Sequence, residues 1–539
     1  MSFWSKVNNR IRLPVSPDDE YADNPWCNND LKPMPRERRT YGAWSFVLYW
    51  VTGGFSIVNY TTGASFIAYG LSGQQAIICA VIAPLILCVS LLGTSLIGAR
   101  QHISFMIFHR SVLGMWGSHV VLVIRTIPGF IYDGIEALWG GQCVACIFGA
   151  LSPTYYTKLD IDLAGGRLKL YDFVGFIIYY ITFLLVMRIP PERLQRSFIV
   201  SSVLFTATVI GFLSWSVSKA GGAGPYFNGT LPAVKSEIPG WSVMFGIMAF
   251  VGVFSPATAS FMDWSRYSTS RNGPAFVQMI AMPVCMGGSC VIGIIVASCS
   301  EQIFGEAIWQ PFMFLRAIQL DYYKNNAGSR AASFFAGAAC FFAQVNLNII
   351  LNSVGCAMDL SAAAPRYLNI QRAAYVIAAV GVATCPWYLL SSAGTFLNVL
   401  AGFSVFTGPM TSLAIVDFFV IRKMHMSLPD LYIGNSSSIY WYHKGWSWRA
   451  FTSFIAGVIP TFPGFVMAVA NPARPLNGWI YLYHLCYLVG FAVTGLVHLV
   501  ICKISPPPHQ YEGATTYIEA DEIDVVAVID SGVDDEKDM

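Results

Sequence analysis

Apolar runs of about 20 residues recur along the whole chain, separated by short stretches that contain turn residues or charges. Each run is long enough to cross a bilayer as a helix. Counting the runs predicts twelve transmembrane helices, with approximate limits at 45–70, 75–98, 118–148, 172–188, 197–217, 241–263, 276–299, 331–360, 374–391, 395–421, 450–470 and 477–502. The chain is therefore predicted to be an all-α membrane protein. Its predicted parts are an N-terminal tail at 1–44, a transmembrane domain at 45–502 and a C-terminal tail at 503–539.

Two of these runs are interrupted near their middle, at Thr52–Ser56 and at Phe254–Pro256. Glycine permits backbone conformations that other residues avoid, and proline removes an N–H and clashes with the preceding turn. Within lipid, unpaired backbone groups are tolerated only where they line a cavity. Two broken helices about five spans apart indicate a secondary transporter with its substrate site near the midplane. Two gently kinked spans in an ordinary bundle are the alternative.

Composition and charge support the membrane class and indicate an orientation. Hydrophobic residues make up 55% of the chain and charged residues 12%, about half of what a soluble protein carries. The net charge of +2 predicts no nucleic-acid partner. With both termini on one side, that side collects 22 of the 32 Lys and Arg residues and the other side nine. Both tails are therefore expected in the cytoplasm of a plasma-membrane protein. There they are candidate docking sites for a ubiquitin ligase or trafficking adaptors.

The third predicted span contains two carboxylates, Asp133 and Glu136. Charges inside spans are costly and mark functional sites. A spacing of three residues places both on one helical face. Two carboxylates this close repel each other, so at least one is expected to hold a proton near neutral pH. A proton-coupled carrier requires such a group. The alternative is that one carboxylate pairs with Arg125 or faces a water-filled vestibule without titrating.

The eighth predicted span is rich in amides, namely Gln344, Asn346, Asn348 and Asn352. Asn348 and Asn352 are four residues apart and share a face with Gln344. Because amides both donate and accept, they suit a planar, uncharged ligand such as a pyrimidine or a ureide. Polar contact between helices is the alternative.

Aromatic side chains lie at or near the helix breaks and the carboxylates, at Phe55, Tyr132 and Phe254. Such rings could stack on a flat ligand, and each stacked face would stabilise binding by on the order of one or two kcal/mol. Taken singly, each is more typical of packing within a membrane span.

The chemistry of an enzyme, a metal site or a primary pump is not indicated. The 13 cysteines lie mostly in apolar runs, and the Cys143–Cys146 pair has no partner pair with ligand spacing. The chain contains no P-loop motif. We therefore expect no catalytic residue, no cofactor and no metal.

Five ordered motifs resemble one family. GIEAxxGGQC in the third span, MDWSRY at 262–267, NIILNS…MDLSAAAPRYLNI at 348–370, VFTGP…VDFFVIRK at 405–423 and KGWSWRA at 444–450 occur in sequence. They resemble the fungal uracil, allantoin and uridine permease branch of nucleobase–cation symporter family 1, near the thiamine and nicotinamide riboside carriers. The resemblance spans about residues 29–500. It implies a LeuT-like fold with a five-plus-five inverted repeat and two extra C-terminal helices.

The resemblance also implies a substrate site. The family's stacking tryptophan falls on Tyr132, its amide-binding glutamine on Glu136, the aromatic of the sixth helix on Phe254 and the base-binding asparagine on Asn352. Neighbouring residues expected in the site are Phe55 and Ser56 at the first break, Ser255 at the second and Asn348 on the eighth span. Glutamate in place of glutamine leaves two substrate classes open, because a protonated Glu136 suits a neutral base and an ionised one a cationic ring.

The coupling ion is expected to be the proton. In sodium-dependent bacterial members of the family, two eighth-helix hydroxyls bind the ion, and their positions fall on Asn346 and Leu347. Since Leu347 offers no side-chain oxygen, the resemblance favours proton coupling through Asp133 or Glu136. The chain is thus expected to import a nucleobase-like heterocycle with protons. Uptake of a cationic vitamin such as thiamine or nicotinamide riboside, a non-transporting nutrient sensor and an ion channel are the alternatives.

Overall fold

The computed structural model of the protein describes residues 11–13, 24–189, 195–228, 239–471 and 476–511. The chain is mostly helical, with 74% helix. Within the described ranges, two short strands, β1 (Asp162–Leu163) and β2 (Leu168–Lys169), form an antiparallel hairpin between helices. The predicted all-α class is therefore confirmed.

The helices fall into two halves along the chain. The first half contains α1 (Ala43–Gly54), α2 (Ile57–Tyr69), α3 (Gly73–Gln101), α4 (Phe105–Leu113), α5 (Ser118–Leu151), α6 (Tyr155–Lys158), α7 (Leu170–Val186) and α8 (Gln195–Ala220). The second half contains α9 (Pro239–Ala259), α10 (Met262–Ser265), α11 (Gly273–Phe304), α12 (Pro311–Ala317), α13 (Ala327–Asn348), α14 (Gly355–Ser361), α15 (Ile370–Ala383), α16 (Pro386–Leu389), α17 (Ala393–Ile415), α18 (Trp448–Val458), α19 (Phe462–Ala470), α20 (Gly478–Tyr483) and α21 (Cys486–Ile504). Wider π-helical turns occupy Ile318–Tyr322, Ile349–Val354 and Val416–Ile421. Short 3-10 turns occupy Arg36–Arg38, Ala164–Gly166 and Pro429–Tyr432.

The first predicted break is confirmed between α1 and α2, where Phe55 and Ser56 leave the helix. The Asn59 side chain closes the gap, since its Nδ2 donates to the carbonyls of Gly53 at 3.3 Å and Gly54 at 2.8 Å. Gly54 is required by close packing, because a Cβ there would lie 2.5 Å from the Cβ of Cys285 in α11. The break is thus a built feature in which a side chain replaces the missing backbone partners.

The second predicted break is wrong in position. Helix α9 continues through Phe254–Pro256 and ends at Ala259, before a turn leads into α10. Proline removes only one N–H from the ladder, so a single backbone hydrogen bond is lost. Thr258 Oγ1 donates to the Ser255 carbonyl at 3.2 Å and Ser260 Oγ to the Pro256 carbonyl at 3.1 Å. Beyond the proline the backbone ladder resumes, with the Ser260 N–H donating to the Pro256 carbonyl at 3.2 Å, so the one missing bond does not end the helix.

The number of spans is supported in part. Among the described residues, eight helices are long and apolar enough to cross a membrane, or nine if the pair α18 and α19, bent by 47°, forms one span. The other three predicted spans correspond to the broken pair α1 and α2, to α7 with 17 residues and to α15 with 14 residues. Each of these helices is too short to cross a membrane by itself, so the number of twelve transmembrane helices stays a prediction.

Two groups of helices meet at the first break. In one group, α11 packs against α1, α2 and α3, and α9 packs against α3. In the other, α5 packs against α7, α13 and α15. A Cβ on Gly53 would lie 3.6 Å from the Leu351 side chain in the π-helical turn after α13 and 3.9 Å from the Phe254 ring in α9. The first break therefore lies between the π-helical turn of one group and α9 of the other.

Candidate functional site

Asp133 is fully buried on the face of α5 that packs against α7 and the π-helical turn Ile349–Val354. The Tyr180 hydroxyl in α7 lies 2.9 Å from its Oδ2, and Ser353 Oγ donates to its Oδ1 at 3.3 Å. Gly381 in α15 leaves room for this carboxyl, because a Cβ at that position would overlap Oδ2. Three helical elements besides α5 therefore enclose Asp133.

Glu136 lies one helical turn further along the same face and is also buried. Gln344 Nε2 in α13 donates to the Glu136 backbone carbonyl at 2.9 Å and to its carboxyl Oε2. The Gln344 Oε1 is buried and has no hydrogen-bond partner among the described residues. The prediction that both carboxylates share one face is confirmed, and that face points to α13 and its π-helical continuation.

Arg125 does not neutralise either carboxylate. Its Nε lies 3.6 Å from Asp359 Oδ2 and donates to Ser260 Oγ at 3.1 Å. Among the described residues, no basic side chain forms an ion pair with Asp133 or Glu136. The alternative in which Arg125 pairs with one of the two is therefore wrong. Because an unpaired buried charge is costly, the arrangement favours a proton or a cationic ligand at these groups.

Three amides share a face, as predicted from their spacing. Asn352 Nδ2 donates to Asn348 Oδ1 at 2.9 Å, and Asn348 Nδ2 donates to the Asp133 backbone carbonyl at 3.4 Å. Gln344 reaches Glu136 from the same side. Asn346 points elsewhere and accepts from Ser197 Oγ at 2.9 Å. Asn352 and Ser353 sit in the π-helical turn, a local widening that often marks functional sites.

The aromatic candidates occupy separate contacts. The Tyr132 ring lies 5.3 Å from the Phe403 ring in α17, and its buried hydroxyl has no partner among the described residues. The Phe254 ring lies 6.0 Å from the Trp50 ring in α1. Beside Phe254, Ser255 Oγ is 2.7 Å from Thr407 Oγ1, again in α17. No ring contact in the described part of the chain joins Tyr132 to Phe254, so each packs against another helix.

A small cavity adjoins the first break. Phe55 and Ser56 line it together with Gln344 and Leu347 of α13 and Ser202 of α8. Its volume is about 10 Å³, room for about one water molecule. Gln344 therefore contacts both the cavity and Glu136. A cavity of this size has no room for an organic ligand.

Sequence reasoning missed three residues of this region. Tyr180 and Ser353 contact Asp133, and Asn59 closes the first break. A tyrosine in an apolar span carries no local cue to a partner 47 positions away. Ser353, next to Asn352, could have been found by extending the amide face.

Known proteins resemble the chain over most of its length. The sequence pattern of a family described as "Permease for cytosine/purines, uracil, thiamine, allantoin" matches residues 33–501. An uncharacterized permease of Schizosaccharomyces pombe is 31% identical over 509 residues, which cover 93% of this chain and 84% of the relative. The uridine permease of Saccharomyces cerevisiae is 29% identical over 505 residues, which cover 93% of this chain and 78% of the relative.

A solved structure shares the fold. Mhp1, a nucleobase–cation-symport-1 family transporter in a closed conformation with bromovinylhydantoin bound, matches with a TM-score of 0.70 and 20% identity. The match covers 91% of this chain and 98% of Mhp1. The expected LeuT-like fold is thereby confirmed. Since the family match covers far more than half of the residues, this protein belongs to the permease family for cytosine and purines, uracil, thiamine and allantoin.

Proposed function

We propose that this permease imports a small, flat, nitrogenous heterocycle of the uracil, allantoin, uridine or cytosine class across the plasma membrane together with protons. The observation that carries the proposal is the buried cluster of two carboxyls and three amides, Asp133, Glu136, Gln344, Asn348 and Asn352, beside a broken helix. Such a cluster offers several donors and acceptors and no fixed cation, which suits a neutral ring edge and a transferable proton.

The proposed binding mode assigns each candidate a contact. Tyr132 and Phe254 stack on the ring of the substrate, and each stacked face stabilises binding by roughly 1–2 kcal/mol. Asn352 and Glu136 hydrogen-bond the ring edge, and the Tyr132 hydroxyl, which has no partner among the described residues, supplies a further donor or acceptor. Phe55, Ser56, Ser255 and Asn348 complete the walls of the pocket. Asn352, with 7% of its surface exposed, is less completely buried than Gln344 and Asn348, so it is the amide of the cluster that is best placed to exchange its internal bond for a ligand.

The proposed coupling uses one of the two buried carboxyls, Asp133 or Glu136. A carboxyl that is buried without a cation favours its neutral form. Exposure to water on one side of the membrane would release the proton, and burial would restore it. Proton release and substrate binding are then coupled, because both involve the same cluster of carboxyls and amides.

A second substrate class follows from Glu136. When ionised, this carboxyl would attract a positively charged ring, such as that of thiamine or nicotinamide riboside. Gln344 Nε2 already donates to the Glu136 carboxyl, so an ionised Glu136 would have one of its oxygens satisfied before the ligand arrives. The two substrate classes thus differ by the protonation state of a single side chain.

Substrate access requires a change of shape. The cavity at the break has room for about one water molecule, and Tyr132 packs directly on Phe403. We propose that residues around Phe396–Phe403 of α17 gate the outside, and that the group α1, α2, α3, α9 and α11 rocks against α5, α7, α13 and α15. Both tails are proposed to be cytoplasmic. Residues 1–10, 14–23 and 512–539 of these tails lie outside the described residues.

An uptake competition panel tests the proposal. The full-length protein is produced in a cell that lacks its own permeases, and accumulation of labelled uracil is measured against unlabelled uracil, allantoin, uridine, cytosine, thiamine and nicotinamide riboside. Accumulation that increases at acidic external pH and is inhibited by the neutral bases is the expected result. Inhibition by the cationic vitamins alone, with labelled thiamine accumulating instead, would support the second class. Binding without accumulation would point to a nutrient sensor and contradict the proposal.

A further inference from the structure

We infer that Asp133 carries a proton on Oδ2 in this conformation and donates it to the Tyr180 oxygen, so that Tyr180 is a positioning residue for the protonated carboxyl. The inference rests on the proposed proton coupling. Asp133, and not Glu136, is then the carboxyl that carries the proton, and Tyr180 is the residue whose hydrogen bonds depend on that proton.

The Tyr180 hydroxyl has a single proton to donate. Two acceptor atoms lie close to this oxygen, the Ala378 carbonyl of α15 at 2.5 Å and Asp133 Oδ2 at 2.9 Å. Two oxygens that are 2.5 Å apart repel unless a hydrogen lies between them. The tyrosine proton therefore lies on the bond to Ala378. The remaining contact at 2.9 Å needs its own hydrogen, and only the Asp133 carboxyl can supply it.

The surroundings of Asp133 agree with a neutral carboxyl. The ionisable groups that face it are Glu136 on α5, Tyr179 and Tyr180 on α7, and Cys356 on α14. None of these is a cation, and Arg125 is engaged by Asp359 and Ser260. A second charge next to Glu136 would add repulsion in a buried site. Ser353 Oγ donates to the other oxygen, Oδ1, which is compatible with the carbonyl oxygen of a protonated acid.

Among the residues that the structure describes, Glu136 has no comparable acceptor for a proton. Its carboxyl Oε2 faces the Gln344 amide nitrogen, which can only donate. Asp133 is therefore the carboxyl whose contacts require a proton, whereas the Glu136 contact is satisfied without one.

The contact also links protonation to helix packing. Tyr180 joins α5, α7 and α15 through one hydroxyl, and this bridge is complete only while Asp133 is protonated. When Asp133 loses its proton, the carboxylate becomes an acceptor only. Tyr180 then has to turn its proton away from Ala378 or leave Oδ2 facing another oxygen. Loss of the Asp133 proton thus weakens the contact between α7 and α15 beside the candidate site.

Infrared spectroscopy on the purified full-length protein in lipid nanodiscs tests the inference without any substrate. The carbonyl band of a protonated carboxylic acid is followed as a function of pH, and its Asp133 component is the part that disappears in Asp133→Asn. In Tyr180→Phe, the acceptor for the acid proton is lost and the protonated form is less stable. The midpoint pH of the Asp133 band is therefore expected to fall by about 1 pH unit, which corresponds to the loss of one hydrogen bond.

The sign of the shift decides the outcome. If Tyr180 instead donates to an ionised Asp133, its removal raises the midpoint, and an increase or no change overturns the inference. Tyr375→Phe is the matched control. The Tyr375 hydroxyl also joins α15 to α7, since it donates to the Leu184 carbonyl at 3.3 Å, but it does not contact Asp133. Its midpoint should not move.

If Tyr180→Phe fails to fold, the wild-type spectrum still tests the inference, because a spectrum at neutral pH without the Asp133 band overturns it. Ser353→Ala tests the second contact of the same carboxyl. Ser353 donates to Oδ1, so its removal should move the midpoint in the opposite direction, upward. A downward shift would contradict the assigned donor. Failure of the uptake panel with an intact Asp133 band would refute the proposed function alone, whereas normal proton-coupled uptake without an Asp133 band would refute this inference alone.

Discussion

Gln344 holds Glu136 at two points, since its Nε2 donates to the Glu136 backbone carbonyl at 2.9 Å and to the carboxyl Oε2 of the same residue. The two contacts fix the orientation of the carboxyl and join α5 to α13. They also leave Gln344 Oε1 buried without a partner among the described residues. This pair is therefore a contact between two helices and a polar contact within the candidate site.

Glu136→Gln should change substrate preference with little effect on the fold. The introduced amide keeps an oxygen that accepts from Gln344, but it cannot become negative. Uptake of thiamine relative to uracil should fall by at least about tenfold, the value of one charge-assisted hydrogen bond. The pH dependence should persist if Asp133 carries the proton. Competition uptake measures the ratio. Glu306→Gln, an exposed residue after α11, is the control, and an unchanged ratio in Glu136→Gln would remove Glu136 from the site.

Asn352→Ala should abolish high-affinity uptake and leave surface expression intact. The substitution removes a proposed ligand contact, so KM should rise by about tenfold or more, equivalent to one hydrogen bond. Asn346→Ala on the same helix is the matched control, because Asn346 faces Ser197 rather than the amide cluster. Saturation kinetics and surface labelling measure the two effects. Wild-type kinetics in Asn352→Ala would show that this amide does not contact substrate.

Gly381→Ala should destabilise the protein and impair uptake. A Cβ at this position overlaps the Asp133 carboxyl, and overpacking of this kind costs about 1–3 kcal/mol. Gly211→Ala in α8 is the control, since a Cβ there meets nothing within 4 Å and alanine favours the helix by up to about 1 kcal/mol. Thermal unfolding in detergent should show a lower Tm for the first variant and an equal or higher Tm for the second. Equal Tm values in all three proteins would contradict the close packing of α5 against α15.

His102→Asn should reduce the loss of stability in acid. Burial lowers the pKa of His102 to about 4, although its ring nitrogen Nδ1 lies 2.7 Å from the Arg266 carbonyl. An unfolded histidine has a pKa of about 6.5. Between these values the folded protein binds fewer protons than the unfolded chain, so stability falls as pH decreases from about 6.5 towards 4. The contribution between pH 7 and pH 5 is about 2 kcal/mol.

Asparagine suits position 102 because it tolerates the positive φ of 52° found there. Tm measured from pH 7 to pH 5 should fall less in His102→Asn than in the wild type. An identical decrease in both proteins would show that His102 does not contribute to acid sensitivity.

The sequence by itself determined the helical class, the first break and the shared faces of the carboxylates and amides. These features depend on local rules, because hydrophobic runs, glycine pairs and spacings of three or four residues act within a few turns of one helix. The family resemblance likewise came from ordered local motifs, and the comparisons confirmed it.

Only the tertiary structure decided how those helices pair. The partner of Arg125 is Asp359, the partner of Asp133 is Tyr180, and Gln344 reaches Glu136 across 208 positions. The second break was misplaced because a single proline removes only one N–H, and α9, which packs against α3 and α17, continues as a helix past it. Contacts between helices depend on how the whole bundle packs, and no pattern within a single span contains that information.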